Sequence, residues 1–195
     1  MTTVRRGGSD LFPTAVPVYI LAGGKSRRFG SDKARALHRG TPLITGVARA
    51  LEPVASRVTV VAAASGAYDD LGLQTIGDIL PDKGPMGGLL SAIDDCRGAQ
   101  WLLLSACDWV GIQERWARLL LARRQSSLQV IIFRSDRLEP LFALYHTSIR
   151  KTVARLIDDG RLKMIELIDT VKTETVPAPG GWSDVINLNR PPDHR

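Results

Sequence analysis

Hydrophobic positions along this 195-residue chain alternate between two periods. Short apolar runs rich in β-branched residues predict strands at 18–22, 57–64, 73–77, 100–106, 129–134 and 140–145. Between them, apolar residues recur at helical spacing. Leu43, Ile44, Val47, Ala48 and Leu51 form one such face, closed by Pro53. Met86, Leu89, Leu90, Ile93 and Cys96 form a second, and Ile112, Trp116, Leu119 and Leu120 a third. Ile149, Val153, Leu156 and Ile157 form a fourth, with Gly160 as its stop signal, and Met164, Leu167, Ile168 and Val171 a fifth. Short extended pieces follow at 173–176 and 184–188.

Strands that alternate with helices imply right-handed β-α-β crossovers. The expected fold is a three-layer α/β/α sandwich around a mostly parallel, Rossmann-like sheet. Sheets of this kind place ligands beyond the carboxyl ends of their strands. Gly23-Gly24 follows one apolar strand here, Asp78 another and Asp108 a third, so all three are expected on one edge. The length suits a single domain over 17–195, preceded by a flexible tail over 1–16.

Composition narrows the partners. The formal charge of +6 favours anionic ligands. No long Lys/Arg run with interleaved aromatics supports nucleic-acid binding. No apolar run approaches the ~20 residues that span a bilayer, and the first 17 residues carry no secretory h-region. Cys96 and Cys107 provide neither a disulfide framework nor a metal cluster, so the expected location is cytoplasmic. His38, His146 and His194 have no ligand spacing.

The stretch 18–33 concentrates the candidate chemistry. Adjacent Gly23 and Gly24 let backbone N–H groups approach a ligand closely, and Arg27, Arg28 and Lys33 put cations beside that anion cradle. Gly24-Lys25-Ser26 looks like the end of a Walker A loop, but that motif needs a glycine where Tyr19 stands. The dinucleotide fingerprint G-x-G-x-x-G fails as well, because the two glycines are adjacent. Asp108, at the mouth of the most apolar strand, is well placed to ligate Mg²⁺, which prefers oxygen donors.

The run from Leu21 to Lys33 reads Leu-Ala-Gly-Gly-Lys-Ser-Arg-Arg-Phe-Gly-Ser-Asp-Lys. It resembles the signature of nucleotidyltransferases that join a nucleoside monophosphate to a phosphorylated acceptor. With Gly84-Pro-Met-Gly-Gly-Leu89, Cys107-Asp108, Glu139-Pro-Leu-Phe-Ala-Leu-Tyr145 and Ile186-Asn-Leu-Asn-Arg-Pro191, the chain is similar to the molybdenum cofactor guanylyltransferases, the MobA-like family, over most of its length. The resemblance implies transfer of GMP from Mg-GTP to the terminal phosphate of the molybdenum cofactor (molybdopterin), with release of pyrophosphate. It assigns the nucleotide to Leu21, Ala22, Gly23, Gly24, Lys33, Asp78 and Asp108, the metal to Asp108 and catalysis to Arg28, Lys33 and Asp108. It adds active-site positions at Gly84, Gly87, Gly88, Asn187 and Asn189. It further implies cofactor-insertion proteins and molybdoenzymes as partners.

Three departures bear on nucleobase choice and loop shape. Ala62-Ala63-Ala64 stands where related enzymes often carry an asparagine, Val110 where proline is usual and Arg190 where threonine is common. The alternatives are a related cytidylyltransferase, a nucleotidyltransferase with another phosphorylated acceptor, and a non-catalytic cofactor- or nucleotide-binding protein.

Overall fold

Strand β1 (Val16–Ala22) is central because both of its faces are apolar. Val18 and Ile20 pack into one hydrophobic layer and Tyr19 into the other, as the period of two along a strand requires. The computed structural model of the chain describes residues 12–23, 32–184, 186 and 187. After β1 come a hairpin of β2 (Leu37–His38) and β3 (Thr41–Pro42), helix α1 (Leu43–Leu51), β4 (Ala55–Ala62) and β5 (Thr75–Gly77). Helix α2 (Gly84–Asp95), β6 (Trp101–Ala106), β7 (Trp109–Val110) and α3 (Glu114–Leu121) follow. The last elements are β8 (Val130–Arg134), β9 (Leu138–His146), α4 (Arg150–Asp158), α5 (Met164–Thr170), β10 (Thr173–Pro177) and β11 (Ile186–Asn187).

Seven strands form the main sheet in the order β10-β8-β9-β6-β1-β4-β5. The β1–β4, β1–β6, β4–β5 and β8–β10 pairs are parallel; β9 runs antiparallel to both of its neighbours. This is the mostly parallel sheet expected from the alternating pattern, with β9 reversed. The alternation of side chains sorts the core into two layers. On one face Val18, Ile20, Leu103, Ile131, Phe133 and Phe142 meet α1 and α3. On the other, Tyr19, Leu102, Leu104, Ile132 and Tyr145 meet α2, α4 and α5. Three layers result.

Two local differences from the sequence expectations have physical causes. Ile112 lies before α3, because Gln113 takes an extended conformation (φ −127°, ψ 139°) and starts the helix after itself. The segment 1–16 is expected as a tail, yet β1 begins at Val16. Phe12 packs against the core with the Arg124 guanidinium 5.3 Å above its ring, and Arg124 donates to the Pro13 carbonyl at 2.8 Å. The end of the expected tail is therefore fixed. Gly160 ends α4 as expected, in a left-handed conformation (φ 73°).

Trp182 fixes the far end of the chain. Its ring lies 5.2–5.6 Å from those of Trp109, Trp116, Phe133 and Phe142, and all five are buried. Aromatic pairs in tilted contact at this range add to plain area burial. With this anchor in place, β11 pairs antiparallel with β7, Asn187 opposite Trp109 and Ile186 opposite Val110.

Candidate active site

The parallel strands β1, β4, β5 and β6 end on one edge, and the candidate residues collect there. The ends of β1 and β6 are tied by the Cys107 N–H donating to the Leu21 carbonyl at 3.2 Å. Leu21 and Ala22 lead to Gly23, which is exposed and has open space where a Cβ would project. A ligand can therefore approach this turn closely. Gly24 and Arg28, which continue the glycine signature, lie outside the described residues.

Asp108 follows β6 with only Cys107 between them. Its Oδ2 accepts from Lys33 Nζ at 2.6 Å, and the two side chains are 13% and 14% exposed. Among the described residues its Oδ1 is buried without a hydrogen-bond partner. A buried carboxylate oxygen left unpaired costs about 1–3 kcal/mol or more, so a ligand that binds it is favoured. A hard cation fits that requirement, taking one protein carboxylate and filling its remaining positions with substrate phosphates and water. Among the described residues no set of three or more His, Cys, Asp or Glu side chains surrounds such an ion.

Burial, then the Asp108 charge, pushes the Cys107 thiol up to about 12. It stays neutral at ordinary pH and is no nucleophile. The backbone of Asn187 is carried to the neighbourhood of Asp108 by its pairing with Trp109. The Asn187 side chain and the whole of Asn189 lie outside the described residues.

Asp78 takes a local role. Its Oδ1 accepts from the Leu80 N–H at 3.0 Å and lies 2.9 Å from the Ser91 hydroxyl. Ser91 in turn accepts from the Ile79 N–H. These bonds tie the turn after β5 onto α2. Gly87 and Gly88 make that docking close. A Cβ on Gly87 would stand 2.6 Å from the Leu80 carbonyl oxygen, and one on Gly88 would stand 2.8 Å from Leu21 Cδ2. Gly84 begins α2 with φ +60° and open space around it.

The two close glycines predict different outcomes. Gly87→Ala must move backbone and is expected to cost about 1–3 kcal/mol, roughly 2–12 °C in Tm. Gly88→Ala meets only the end of a leucine side chain, so its Tm should fall less. Thermal melting checks the order; equal Tm losses would contradict it.

Known proteins resemble this chain in sequence and in fold. Residues 18–172 match the family model of the MobA-like NTP transferase domain. The chain is 34% identical over 176 residues to the "Probable molybdenum cofactor guanylyltransferase" of Deinococcus radiodurans, covering 89% of each chain. Among solved structures, it superposes on molybdopterin-guanine dinucleotide biosynthesis protein A from Archaeoglobus fulgidus with a TM-score of 0.71 and 22% identity, covering 83% of both. It also superposes on 2-C-methyl-D-erythritol 4-phosphate cytidylyltransferase from Thermus thermophilus with a TM-score of 0.67 and 15% identity, covering 91% of this chain and 94% of that one.

Proposed function

The chain belongs to the MobA-like NTP transferase family, and we propose that it transfers GMP from Mg-GTP to the terminal phosphate of the molybdenum cofactor, releasing pyrophosphate. The observation that carries this reading is Asp108 just beyond β6, with Lys33 on one oxygen and the other buried without a partner among the described residues. A carboxylate so prepared, beside a glycine turn open to a ligand, suits a metal–triphosphate complex.

In the reaction an oxygen of the acceptor phosphate attacks the α-phosphorus of GTP. The bond from that phosphorus to the bridging oxygen of the β-phosphate breaks, and pyrophosphate leaves with the electron pair. The attacking oxygen is already anionic at neutral pH, so no general base is required. Magnesium, when bound, offsets negative charge on the phosphates. Asp108 holds it. Lys33 contacts the phosphates and offsets the charge that develops on the leaving group, the positioning and electrostatic work on which phosphoryl-type transfers depend. The Leu21–Gly23 turn would present its backbone to the nucleotide, with Gly24 continuing that role, and Arg28 would join Lys33 in binding the triphosphate and offsetting its charge. Gly84, Gly87 and Gly88 shape the start of α2, and Asn187 and Asn189 would coordinate or hydrogen-bond near the metal. For Asp78, support lies with positioning α2, since its Oδ1 is used locally. The use of GTP supports a cytoplasmic location. Cofactor-insertion proteins and molybdoenzymes would receive the product.

A cytidylyltransferase has a similar fold, so the fold does not choose the base. The test is direct: the protein is incubated with Mg²⁺, molybdopterin cofactor and each of the four NTPs in turn, and pyrophosphate is measured. Release with GTP alone is expected. Release with CTP alone would establish the cytidylyl alternative, and release with neither would overturn the assignment.

A further inference from the structure

Lys33 stands in a three-residue 3₁₀ turn, Lys33–Arg35, and so short a turn has few bonds of its own to hold it. Its anchorage comes from elsewhere in the chain. Asp32 caps the turn, its Oδ1 accepting from the Ala34 N–H at 3.0 Å. The other Asp32 oxygen accepts from the Tyr68 hydroxyl at 2.8 Å, 36 residues further along. Tyr68 is 3% exposed and its ring is part of the core layer beneath α1 and α3. Burial, then the bond to Asp32, raises the Tyr68 phenol above its usual range, so it keeps the proton that it donates to Asp32. Arg35 extends the seam: it bonds both oxygens of Asp70 at 2.7 Å and the Ala67 carbonyl at 2.7 Å, with its guanidinium 5.1 Å over the Tyr68 ring.

We propose that Tyr68 is a positioning residue for Lys33, acting through the Asp32 carboxylate; this rests on Lys33 being the phosphate-contacting cation of the proposed reaction. The lysine stem has about 2 kcal/mol of rotamer freedom, so a defined Nζ position needs at least a fixed base. The exposed Arg35–Asp70 pair is screened and holds that base weakly. The bond from the buried Tyr68 phenol to the half-exposed Asp32 carboxylate is charge-assisted and joins the turn directly to the core. The opposite end of the same side chain is the 2.6 Å contact with Asp108.

Tyr68→Phe tests this, since it keeps the ring and removes only the hydroxyl. Hydrogen exchange of the Ala34 amide should accelerate about tenfold, the size of one lost bond to a charged group, while amides of β1 and β6 keep their rates. Turnover should fall about tenfold in kcat with the KM for Mg-GTP within about twofold. In a Lys33→Ala background the same substitution should change turnover less than about twofold, because the residue it positions is gone. Equal fractional losses in the two backgrounds, or an unchanged Ala34 exchange rate, overturn the proposal. If the unaltered protein consumes no GTP, the functional assignment fails, and the exchange measurement still passes or fails the Tyr68–Asp32 clamp by itself.

Discussion

Asp108→Ala should abolish pyrophosphate release, by about a thousandfold or more, and leave the fold as stable as before. The size follows from losing a group that holds the metal: Lewis-acid stabilisation of developing phosphate charge supplies several kcal/mol, and each 1.4 kcal/mol is tenfold in rate. The unchanged stability follows from two opposed effects. The substitution removes a buried oxygen that has no partner among the described residues, which favours the fold. It also takes the carboxylate away from Lys33, but the long lysine stem can carry its ammonium to water. Differential scanning should place the two melting points within a few degrees. Mg-GTP should raise the Tm of the unaltered protein, because a ligand that binds only the native state stabilises it. It should raise that of Asp108→Ala far less. A variant that turns over normally, or melts far below its parent, would contradict the metal-holding role.

Much of this framework was legible in the sequence because it rests on local periodicity. Val18, Tyr19 and Ile20 announce a strand buried on both faces, and both core layers claim them. Asp108 stands out because an acid at the mouth of so apolar a strand is conspicuous, and the structure puts it beside Lys33. Trp116, on the apolar face expected of the third helix, lies in the core. What escaped is non-local. β7 is two residues long, and its partner Ile186–Asn187 lies far along the chain, so no window of sequence contains the pair. Arg35 reads alone as a surface cation, and only the fold brings Asp70 and Tyr68 to it. Tyr68 sits in a non-periodic stretch, where nothing marks it as buried. The reversal of β9 did leave a signal: residues 135–137 are far too few for a parallel crossover, which needs a dozen or more.

The glycine signature thus supplies only part of a site whose other parts arrive from distant positions. Lys33 comes from the turn beyond it, held by a loop after β4. Asp108 comes from β6, and Gly87 and Gly88 let α2 dock against the end of β1. Tight packing at this edge is what lets short loops hold the charged groups in place.

Lys33→Met should slow turnover about a hundredfold or more, the usual loss when one group stabilising transition-state charge is removed. Its other effects should differ from those of Asp108→Ala, and the reason is side-chain length. Aspartate is too short to carry its carboxylate away, so without Lys33 both of its oxygens lack a described partner in the ligand-free protein. Breaking a largely buried pair this way costs about 3 kcal/mol, so the Tm should fall by roughly 6–12 °C. Magnesium alone should nevertheless bind the variant more tightly than the unaltered protein, because the ammonium no longer competes for the carboxylate. Calorimetric titration with MgCl₂ and no nucleotide reads that sign, and thermal melting with and without the ion reads it independently. Unchanged or weaker magnesium binding would mean that Lys33 and the metal do not share Asp108. Tighter binding joined to slower turnover would show instead that Lys33 occupies the metal's carboxylate until the triphosphate draws the lysine onto its own oxygens.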